Sequence, residues 1–301
     1  MTFGLVPFPT GAAAAERRAR AAARPDGLES EHRPIPIRAV CLDIDDTLID
    51  FTSTARQALY DLIGRDDMWT CWQRTTDEHV ARVVAGELSY EVMHRERTKA
   101  FFADLGALID DDLVADVEQR RCTRLSAAWR LFDDTLPCLD WLRAAGVRLA
   151  AVTNASGPHQ RAKLERLGIG RFFDSVVIAG ELGAAKPDPV IFHTACARLE
   201  VAPDAAMHVG DLLDADAIGA RDAGLHGVWL DRGHARGRPR AGAHHAGAHR
   251  GVHTIETLAD LPELLVTEYR TPDLSSEYGT PAPISGEAGL WSNISSRHYG
   301  R

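Results

Sequence analysis

Short apolar runs alternate with amphipathic segments along most of this 301-residue chain. Five runs rich in Val, Ile, Leu and Ala predict buried β-strands, at 37–44, 147–153, 175–179, 206–210 and 227–230. Apolar residues at helical spacing predict helices over 158–167, 187–199, 214–223 and 255–265. Because strands alternate with helices over short connections, the pattern predicts an α/β fold with a parallel sheet covered by helices on both faces.

The interval between the first two predicted strands has helical periodicity only. Apolar residues recur at helical spacing over 55–63 and again over 113–132. Roughly eighty residues without a strand pattern predict a separate all-helical domain, residues 53–132, inserted after the first strand. Such an insertion begins at the carboxyl end of a strand, where it can act as a lid.

The remaining segments lack both kinds of periodicity. Residues 1–36 are rich in Ala, Arg and Pro, and residues 268–301 mix Ser, Gly, Pro and Tyr, so both are predicted to be disordered extensions. Residues 233–252 are crowded with Gly, Arg and His. A metal-binding tract is one interpretation of these histidines, and a flexible loop is the favoured one. The α/β core then consists of 37–52 and 133–267.

Charge and cysteine usage narrow the class of protein. A formal net charge of −9 argues against nucleic-acid binding, since duplex-binding proteins usually present a basic face. Five scattered cysteines without a C-x-x-C pair argue against a zinc site or a disulfide framework and suit a reducing cytosol. No apolar stretch approaches the roughly 20 residues of a membrane span, and no secretion signal is recognisable. We therefore expect a cytoplasmic protein without a membrane or nucleic-acid partner, and no pattern indicates its oligomeric state.

Acidic side chains gather where the first predicted strand ends. Asp43, Asp45, Asp46 and Thr47 directly follow the apolar run. Adjacent carboxylates repel one another unless a cation or a proton lies between them, so the cluster is costly beside a core strand. Chains accept this cost mainly at the carboxyl end of a parallel strand, where a site can use the charge.

Three further segments carry polar residues at comparable positions. Thr153 and Asn154 end the second predicted strand, and Lys186 immediately precedes a predicted helix. Asp211 and Asp216 follow the fourth strand. Since the carboxyl ends of parallel strands meet at one edge of a sheet, a hydroxyl, an ammonium and several carboxylates are expected to share one cavity.

Lysine is rare in this chain, which has three lysines and 31 arginines. Lys186 is therefore interpreted as chosen for its compact ammonium group. Lys99 and Lys163 are interpreted as lysines without a specific role that the chain's general preference for arginine did not replace.

The order D-x-D-x-T, T-N, K-P and G-D-x-x-x-x-D resembles the haloacid dehalogenase-like hydrolase superfamily, in particular its phosphatase branch with an inserted helical cap. The resemblance covers about residues 37–232 and the helix near 255–265. It implies a Rossmann-like sheet, an all-helical cap, Mg²⁺ as cofactor, and a small phosphate ester as substrate. Two positions depart from the commonest pattern, because Asp46 stands where many relatives have glycine and Ala215 where a polar residue is frequent.

The resemblance also implies roles for the acids. Asp43 matches the nucleophile that forms an aspartyl-phosphate, and Asp45 matches the general acid and base. Asp43, the backbone carbonyl of Asp45 and Asp211 would hold Mg²⁺. Asp216 would orient the waters of that ion, or Lys186, from a more distant position.

The same resemblance assigns phosphate binding and substrate choice. Thr153 and the backbone beside Asn154 would bind the phosphoryl group, and Lys186 would offset the charge of the transition state. Substrate choice is expected to lie in the helical insertion, where Arg97 could hold a second anionic group. A nucleoside monophosphate, a phosphosugar and phosphoglycolate all fit this pattern.

Alternative interpretations exist at several positions. Asp45 could be only a metal or turn ligand, Thr47 a turn cap and Asp214 a helix N-cap. A 2-haloacid dehalogenase is the alternative enzyme, but the resemblance implies that dehalogenases lack an acid at the position of Asp45. A non-catalytic interaction module is the alternative outside enzymes, and the mutual repulsion of the clustered acids argues against it.

Overall fold

The computed structural model describes residues 35–233 and 251–270. The strands of these residues are β1 (Ile35–Pro36), β2 (Ala39–Leu42), β3 (Arg148–Thr153), β4 (Ser175–Ile178), β5 (Ala206–Gly210), β6 (His226–Leu230), β7 (Val252–Ile255) and β8 (Tyr269–Arg270). Six of them form one sheet in the order β4-β3-β2-β5-β6-β7, and every neighbouring pair is parallel. The short strands β1 and β8 pair separately. The predicted α/β class is confirmed.

Ten α-helices accompany these strands within the described ranges: α1 (Phe51–Ile63), α2 (Trp69–Val84), α3 (Tyr90–Asp104), α4 (Asp111–Ala128), α5 (Thr135–Ala144), α6 (Gly157–Arg166), α7 (Ala179–Leu182), α8 (Pro189–Arg198), α9 (Gly219–Asp222) and α10 (Leu261–Glu268). Helices α5, α6 and α10 pack on one face of the sheet, and α8 and α9 pack on the other. None of the described helices has the combination of length and apolar character that crossing a membrane requires.

Strand β2 runs through the centre of the core. Val40 and Leu42 belong to one apolar cluster, whereas Ala39 and Cys41 belong to the cluster on the opposite face. All four are fully buried. Successive side chains of a strand point to opposite faces, so a strand with helices on both sides is apolar at every position. The apolar run that predicts this strand therefore has a direct physical cause.

Helices α1 to α4 occupy the segment in which a helical insertion is predicted, and residues 51–128 contain no strand. Local capping sets where three of these helices begin. The side chains of Asp50, Ser89 and Asp110 each accept a hydrogen bond from a backbone N–H in the first turn. Inside the segment, Trp72 packs edge-on against Phe101 with ring centroids 5.0 Å apart. That this segment forms an independent cap domain stays a prediction.

The C-terminal part of the core differs from the prediction. Residues 252–255 form strand β7 beside β6, where a loop up to residue 252 and a helix from residue 255 are predicted. Three of the four residues are β-branched, which favours a strand. The helix begins later because Thr257 and Asp260 form a capping box that starts the turn leading into α10.

Other boundaries differ by smaller amounts. Strands β1 and β8 lie within segments predicted to be terminal extensions, and the first long strand is shorter than predicted. The helix predicted over 214–223 begins as a π-helical turn, Leu213–Ile218, before α9. Most of the predicted extensions and of the Gly/His/Arg loop, at 1–34, 234–250 and 271–301, lies outside the described residues.

Candidate functional site

Three neighbouring strands bring the predicted polar residues to one edge of the sheet. Asp43 follows β2, Thr153 ends β3 and Asp211 follows β5, and β2 lies between the other two strands. From β2 the chain adds β3 and β4 on one side and β5 to β7 on the other. Ligands of open α/β sheets bind at such a switch point, outside the carboxyl ends of the strands.

Lys186 joins this edge from the loop before α8 and connects two carboxylates. Its Nζ lies 2.5 Å from Asp43 Oδ1 and 2.6 Å from Asp216 Oδ1, and it donates to the carbonyl of Val152 at 2.9 Å. Burial by itself would lower the pKa of Lys186, but the carboxylates of Asp216 and Asp43 raise it, so the ammonium stays charged. The lysine is thus a fixed positive charge beside Asp43.

Three carboxylates at this edge could hold a metal ion. One oxygen each from Asp43, Asp211 and Asp216 lies within 4.8 Å of the other two. Burial raises the pKa of Asp43 to about 7, although the charge of Lys186 acts in the opposite direction. A hard divalent cation prefers such oxygen ligands and would offset their repulsion, so the donor set fits Mg²⁺. Asp216 is predicted from sequence to lie outside this set, whereas the structure groups its carboxylate with the other two.

Asp216 is held in place from several directions. His208 Nε2 donates to its Oδ1 at 3.0 Å, and the backbone N–H of Leu212 donates to its Oδ2 at 2.9 Å. Gly210 leaves room for this side chain, because a Cβ atom at that position would lie 2.2 Å from Asp216 Cγ. The glycine of the G-D motif is therefore required by close packing against Asp216, which lies six residues later in the π-helical turn.

Asp45 is fixed by two residues of helix α6. Lys163 Nζ donates to its two carboxylate oxygens at 2.6 and 2.8 Å, and Gln160 Nε2 donates to Oδ2 at 2.9 Å. Lys163 is buried, with only 2% of its surface exposed. Its interpretation as an incidental lysine is therefore wrong. The rarity of lysine was the available signal, together with the i, i+3 spacing that places Gln160 and Lys163 on one helical face.

Thr153 and Asn154 have different surroundings at the end of β3. Thr153 is buried, and its Oγ1 accepts a hydrogen bond from Gln160 Nε2 at 3.0 Å. The side chain of Asn154 forms two hydrogen bonds with the backbone of Lys186. Its Nδ2 donates to the carbonyl of Lys186 at 2.8 Å, and its Oδ1 accepts from the backbone N–H of Lys186 at 2.7 Å. The side chain of Asn154 therefore positions the lysine loop.

The backbone of the turn after Asp43 explains why many relatives have glycine at the position of Asp46. Asp46 has a φ of 61°, in the left-handed region that favours glycine. Its carboxylate accepts hydrogen bonds from the backbone N–H and the hydroxyl of Thr52, each at 2.7 Å. These contacts tie the turn to the start of α1. Thr47 is buried, and its hydroxyl lies 3.4 Å from Asp43 Oδ2.

A cavity of about 190 Å³ lies above these residues. Asp43, Asp45, Thr153 and Lys186 line it from the sheet edge, and residues of α2, α3 and α4 line it from the helical segment. Arg97 is one of them, so the structure places the predicted substrate contact at the same cavity. Its guanidinium is buried and forms an ion pair with Glu118, a pairing that no pattern in the sequence indicates.

Residues 37–224 match the haloacid dehalogenase-like hydrolase family. The chain is 35% identical to glyceraldehyde 3-phosphate phosphatase of Methanopyrus kandleri over 198 residues, which cover 65% of this chain and 85% of that protein. It is 30% identical to N-acylneuraminate-9-phosphatase of Homo sapiens over 210 residues, which cover 65% and 83%.

Solved structures share the architecture. A magnesium-bound HAD-hydrolase from Bacillus subtilis has a TM-score of 0.65 and 22% identity, over 77% of this chain and 99% of that chain. L-2-haloacid dehalogenase from Xanthobacter autotrophicus has a TM-score of 0.61 and 21% identity over the same shares. At these identities the likeness concerns the fold alone.

Proposed function

The chain belongs to the haloacid dehalogenase-like hydrolase family, and we propose that it is a Mg²⁺-dependent phosphomonoesterase acting on a small phosphorylated metabolite. One arrangement carries the proposal. The carboxylate of Asp43 contacts the ammonium of Lys186 and has an oxygen within 4.8 Å of oxygens of Asp211 and Asp216, while Asp45 lines the same cavity. The two relatives described above, which are aligned over most of their own length, are named as phosphatases of small metabolites.

The charges around the cavity support a cation. Four carboxylates and two ammonium groups meet here: Asp43, Asp45, Asp211 and Asp216 with Lys163 and Lys186. With all six ionised, the group has two more negative than positive charges, and an approaching phosphate would be repelled. We propose that Asp43, Asp211, Asp216 and the carbonyl of Asp45 provide the protein ligands of Mg²⁺. When bound, the ion would neutralise charge on the phosphoryl oxygens.

In the first half of the reaction, a carboxylate oxygen of Asp43 attacks phosphorus while the bond to the ester oxygen breaks. The leaving alcohol takes a proton from Asp45. In the second half, Asp45 accepts a proton from a water molecule that attacks the phosphorus of the aspartyl-phosphate. Inorganic phosphate leaves, Asp43 regains its carboxylate, and Asp45 is again protonated.

Neighbouring residues hold these two acids in place for the reaction. Lys186 offsets charge on Asp43 and on the transferring group, and the hydroxyl of Thr153 donates to a phosphoryl oxygen. Lys163 and Gln160 bind the carboxylate of Asp45 and fix its direction. We assign Lys163 the role of a positioning residue, because its contacts act on Asp45.

We place this activity in the cytoplasm. All five cysteines are free thiols, and Cys41, Cys138 and Cys196 are buried. Burial raises the pKa of Cys138 to about 12, so that its thiol stays uncharged and unreactive. Free structural thiols of this kind suit a reducing compartment.

The proposal is tested by measuring phosphate release from p-nitrophenyl phosphate and a panel of phosphorylated metabolites, with Mg²⁺ and with a chelator. Turnover that requires the metal is the expected result. Halide release from 2-haloacids without metal would instead identify a dehalogenase. If the folded protein turns over neither class of compound, the enzymatic proposal is wrong and an interaction module remains.

A further inference from the structure

A buried ion cluster on helices α3 and α4 forms part of the cavity wall. Glu118 accepts hydrogen bonds from Arg97 Nη2 at 3.0 and 3.1 Å, and from Arg121 Nε and Nη2 at 2.8 to 3.2 Å. The hydroxyl of Thr98 also donates to this carboxylate. Arg97 and Arg121 are 4% and 6% exposed. Two guanidinium groups share one carboxylate, so the cluster retains one uncompensated positive charge beside the cavity.

Polar atoms without a partner lie on the same wall. Among the described residues, four cavity-lining side chains bury a polar atom that has no hydrogen-bond partner: Thr76 Oγ1, Tyr90 OH, His94 Nδ1 and Arg97 Nε. Leaving such atoms unpaired costs free energy, and native proteins usually supply them with a partner. We call these four residues together with Glu118 and Arg121 the polar wall.

The charge of the polar wall is stable around neutral pH. Burial lowers the pKa of His94 to about 3, so its ring is neutral. Burial likewise raises the pKa of Tyr90 to about 12, so its hydroxyl keeps its proton. For Glu118, burial would raise the pKa, but the charges of Arg121 and Arg97 lower it to about 2. The wall therefore combines one excess positive charge with neutral hydrogen-bonding groups.

We propose that the polar wall binds a carboxylate of the substrate, and that the substrate class is a small phosphorylated hydroxy acid. The single excess charge matches one carboxylate, with which a guanidinium forms strong charge-assisted hydrogen bonds. The neutral groups of Tyr90, His94 and Thr76 match hydroxyl groups between the two anionic ends. This inference rests on the proposed phosphatase function and deepens it.

The size of the cavity agrees with a short substrate. Its volume of about 190 Å³ is smaller than the roughly 300–1,000 Å³ typical of sites for drug-sized ligands. Both ends of the ligand must bind inside one cavity, since Asp43 and Arg97 line the same space. A phosphate and a carboxylate separated by a few carbon atoms meet this requirement.

The test compares phosphate esters that differ only in the carboxylate. Phosphate release is measured with 3-phosphoglycerate against glycerol 3-phosphate, and with phosphoglycolate against 2-hydroxyethyl phosphate, at saturating Mg²⁺. The unmodified protein should prefer the acids in kcat/KM by about tenfold or more, as expected for a hydrogen-bonded charge pair. Arg97→Met should reduce this preference at least several-fold, mainly through a higher KM for the acids.

Arg95→Met is the matched control, because Arg95 lies on the same helix with a half-exposed side chain beside Asp111. It should keep the preference for acids. Tyr90→Phe removes only an unpartnered hydroxyl. Even if Arg97→Met fails to fold, Tyr90→Phe should lower kcat/KM for 3-phosphoglycerate, which has a hydroxyl between its ends, more than for phosphoglycolate, which has none. Equal kcat/KM for acids and alcohols in the unmodified protein, or an equal loss for both in Arg97→Met, would overturn the inference. Absence of turnover with every ester, including p-nitrophenyl phosphate, would overturn the phosphatase proposal instead.

Discussion

Lys163 donates to both carboxylate oxygens of Asp45, at 2.6 and 2.8 Å, across 118 positions of sequence. The same ammonium lies 4.4 Å from the centroid of the Phe51 ring, at the start of α1. Lys163 thus contacts Asp45, the proposed general acid and base, and also Phe51, the first residue of the helical segment. Lys163 is buried and Asp45 is partly buried, so packing sets the position of the ammonium more than solvent does.

Lys163→Met should slow the reaction in a way that depends on the leaving group. Without its ammonium, Asp45 loses the contact that fixes its direction, and protonation of the leaving oxygen becomes less efficient. Alkyl phosphates, whose leaving groups need that proton, should lose about tenfold or more in kcat, and p-nitrophenyl phosphate should lose less. Steady-state kinetics over a series of leaving groups measures this difference. Lys99→Met, which changes a partly exposed lysine, is the control. An equal loss for all esters would show that the role of Lys163 is structural.

Asp43→Asn and Asp45→Asn should each abolish turnover, by roughly 10³-fold or more, because each removes a reacting group. Phosphate release measures the loss, and thermal unfolding shows that both variants fold. Asp214→Asn changes an exposed acid in the π-helical turn after β5 and should remain active. Near-normal turnover by Asp43→Asn would contradict the covalent mechanism.

Gly210→Ala should weaken metal binding without removing any ligand. The added methyl would lie 2.2 Å from Asp216 Cγ and must displace that carboxylate. Loss of well-placed metal contacts of this kind typically costs about 10- to 100-fold in affinity. Calorimetric titration with Mg²⁺ measures the change. Gly170→Ala is the control, since its nearest neighbour would be 3.8 Å away, and equal affinities in the two variants would refute the role of the close approach.

Glu118→Gln should destabilise the protein in a pH-dependent manner. The folded protein lowers the pKa of Glu118 from 4.5 to about 2, so the stabilisation is complete above pH 4.5 and is lost as the pH falls towards 2. At neutral pH the variant should lose roughly 3 kcal/mol in the free energy of unfolding. This difference should shrink by about 1 kcal/mol between pH 6 and pH 4.

Urea unfolding at several pH values provides the measurement for Glu118→Gln. Asp116→Asn is its control, because Asp116 lies on the same helix and pairs with the exposed Arg120 in a surface contact. Such a surface pair contributes little, so this variant should stay within about 1 kcal/mol of the unmodified protein. A difference for Glu118→Gln that does not change with pH would contradict the depressed pKa.

Local patterns predicted much of the site. The apolar run that ends in Asp43 identifies the central strand, and the residues that follow β3 and β5 point to the same edge because parallel strands share their direction. Strand β7 escaped prediction because its two apolar residues, Val252 and Ile255, are separated by His253 and Thr254 and it follows a Gly-rich segment, so it contains no continuous apolar run.

The sequence by itself determined which residue types stand at the strand ends, since alternation and turn chemistry act over a few neighbouring residues. Only the tertiary structure decided which charges are buried together. Glu118 between two arginines and Lys163 beside Asp45 have the local pattern of solvent-exposed helical charges. Glu118 becomes part of the polar wall, and Lys163 fixes the carboxylate of Asp45, because packing of distant elements removes water from these charges. A charge without water must be paired with an opposite charge or a hydrogen-bonding group from another part of the fold.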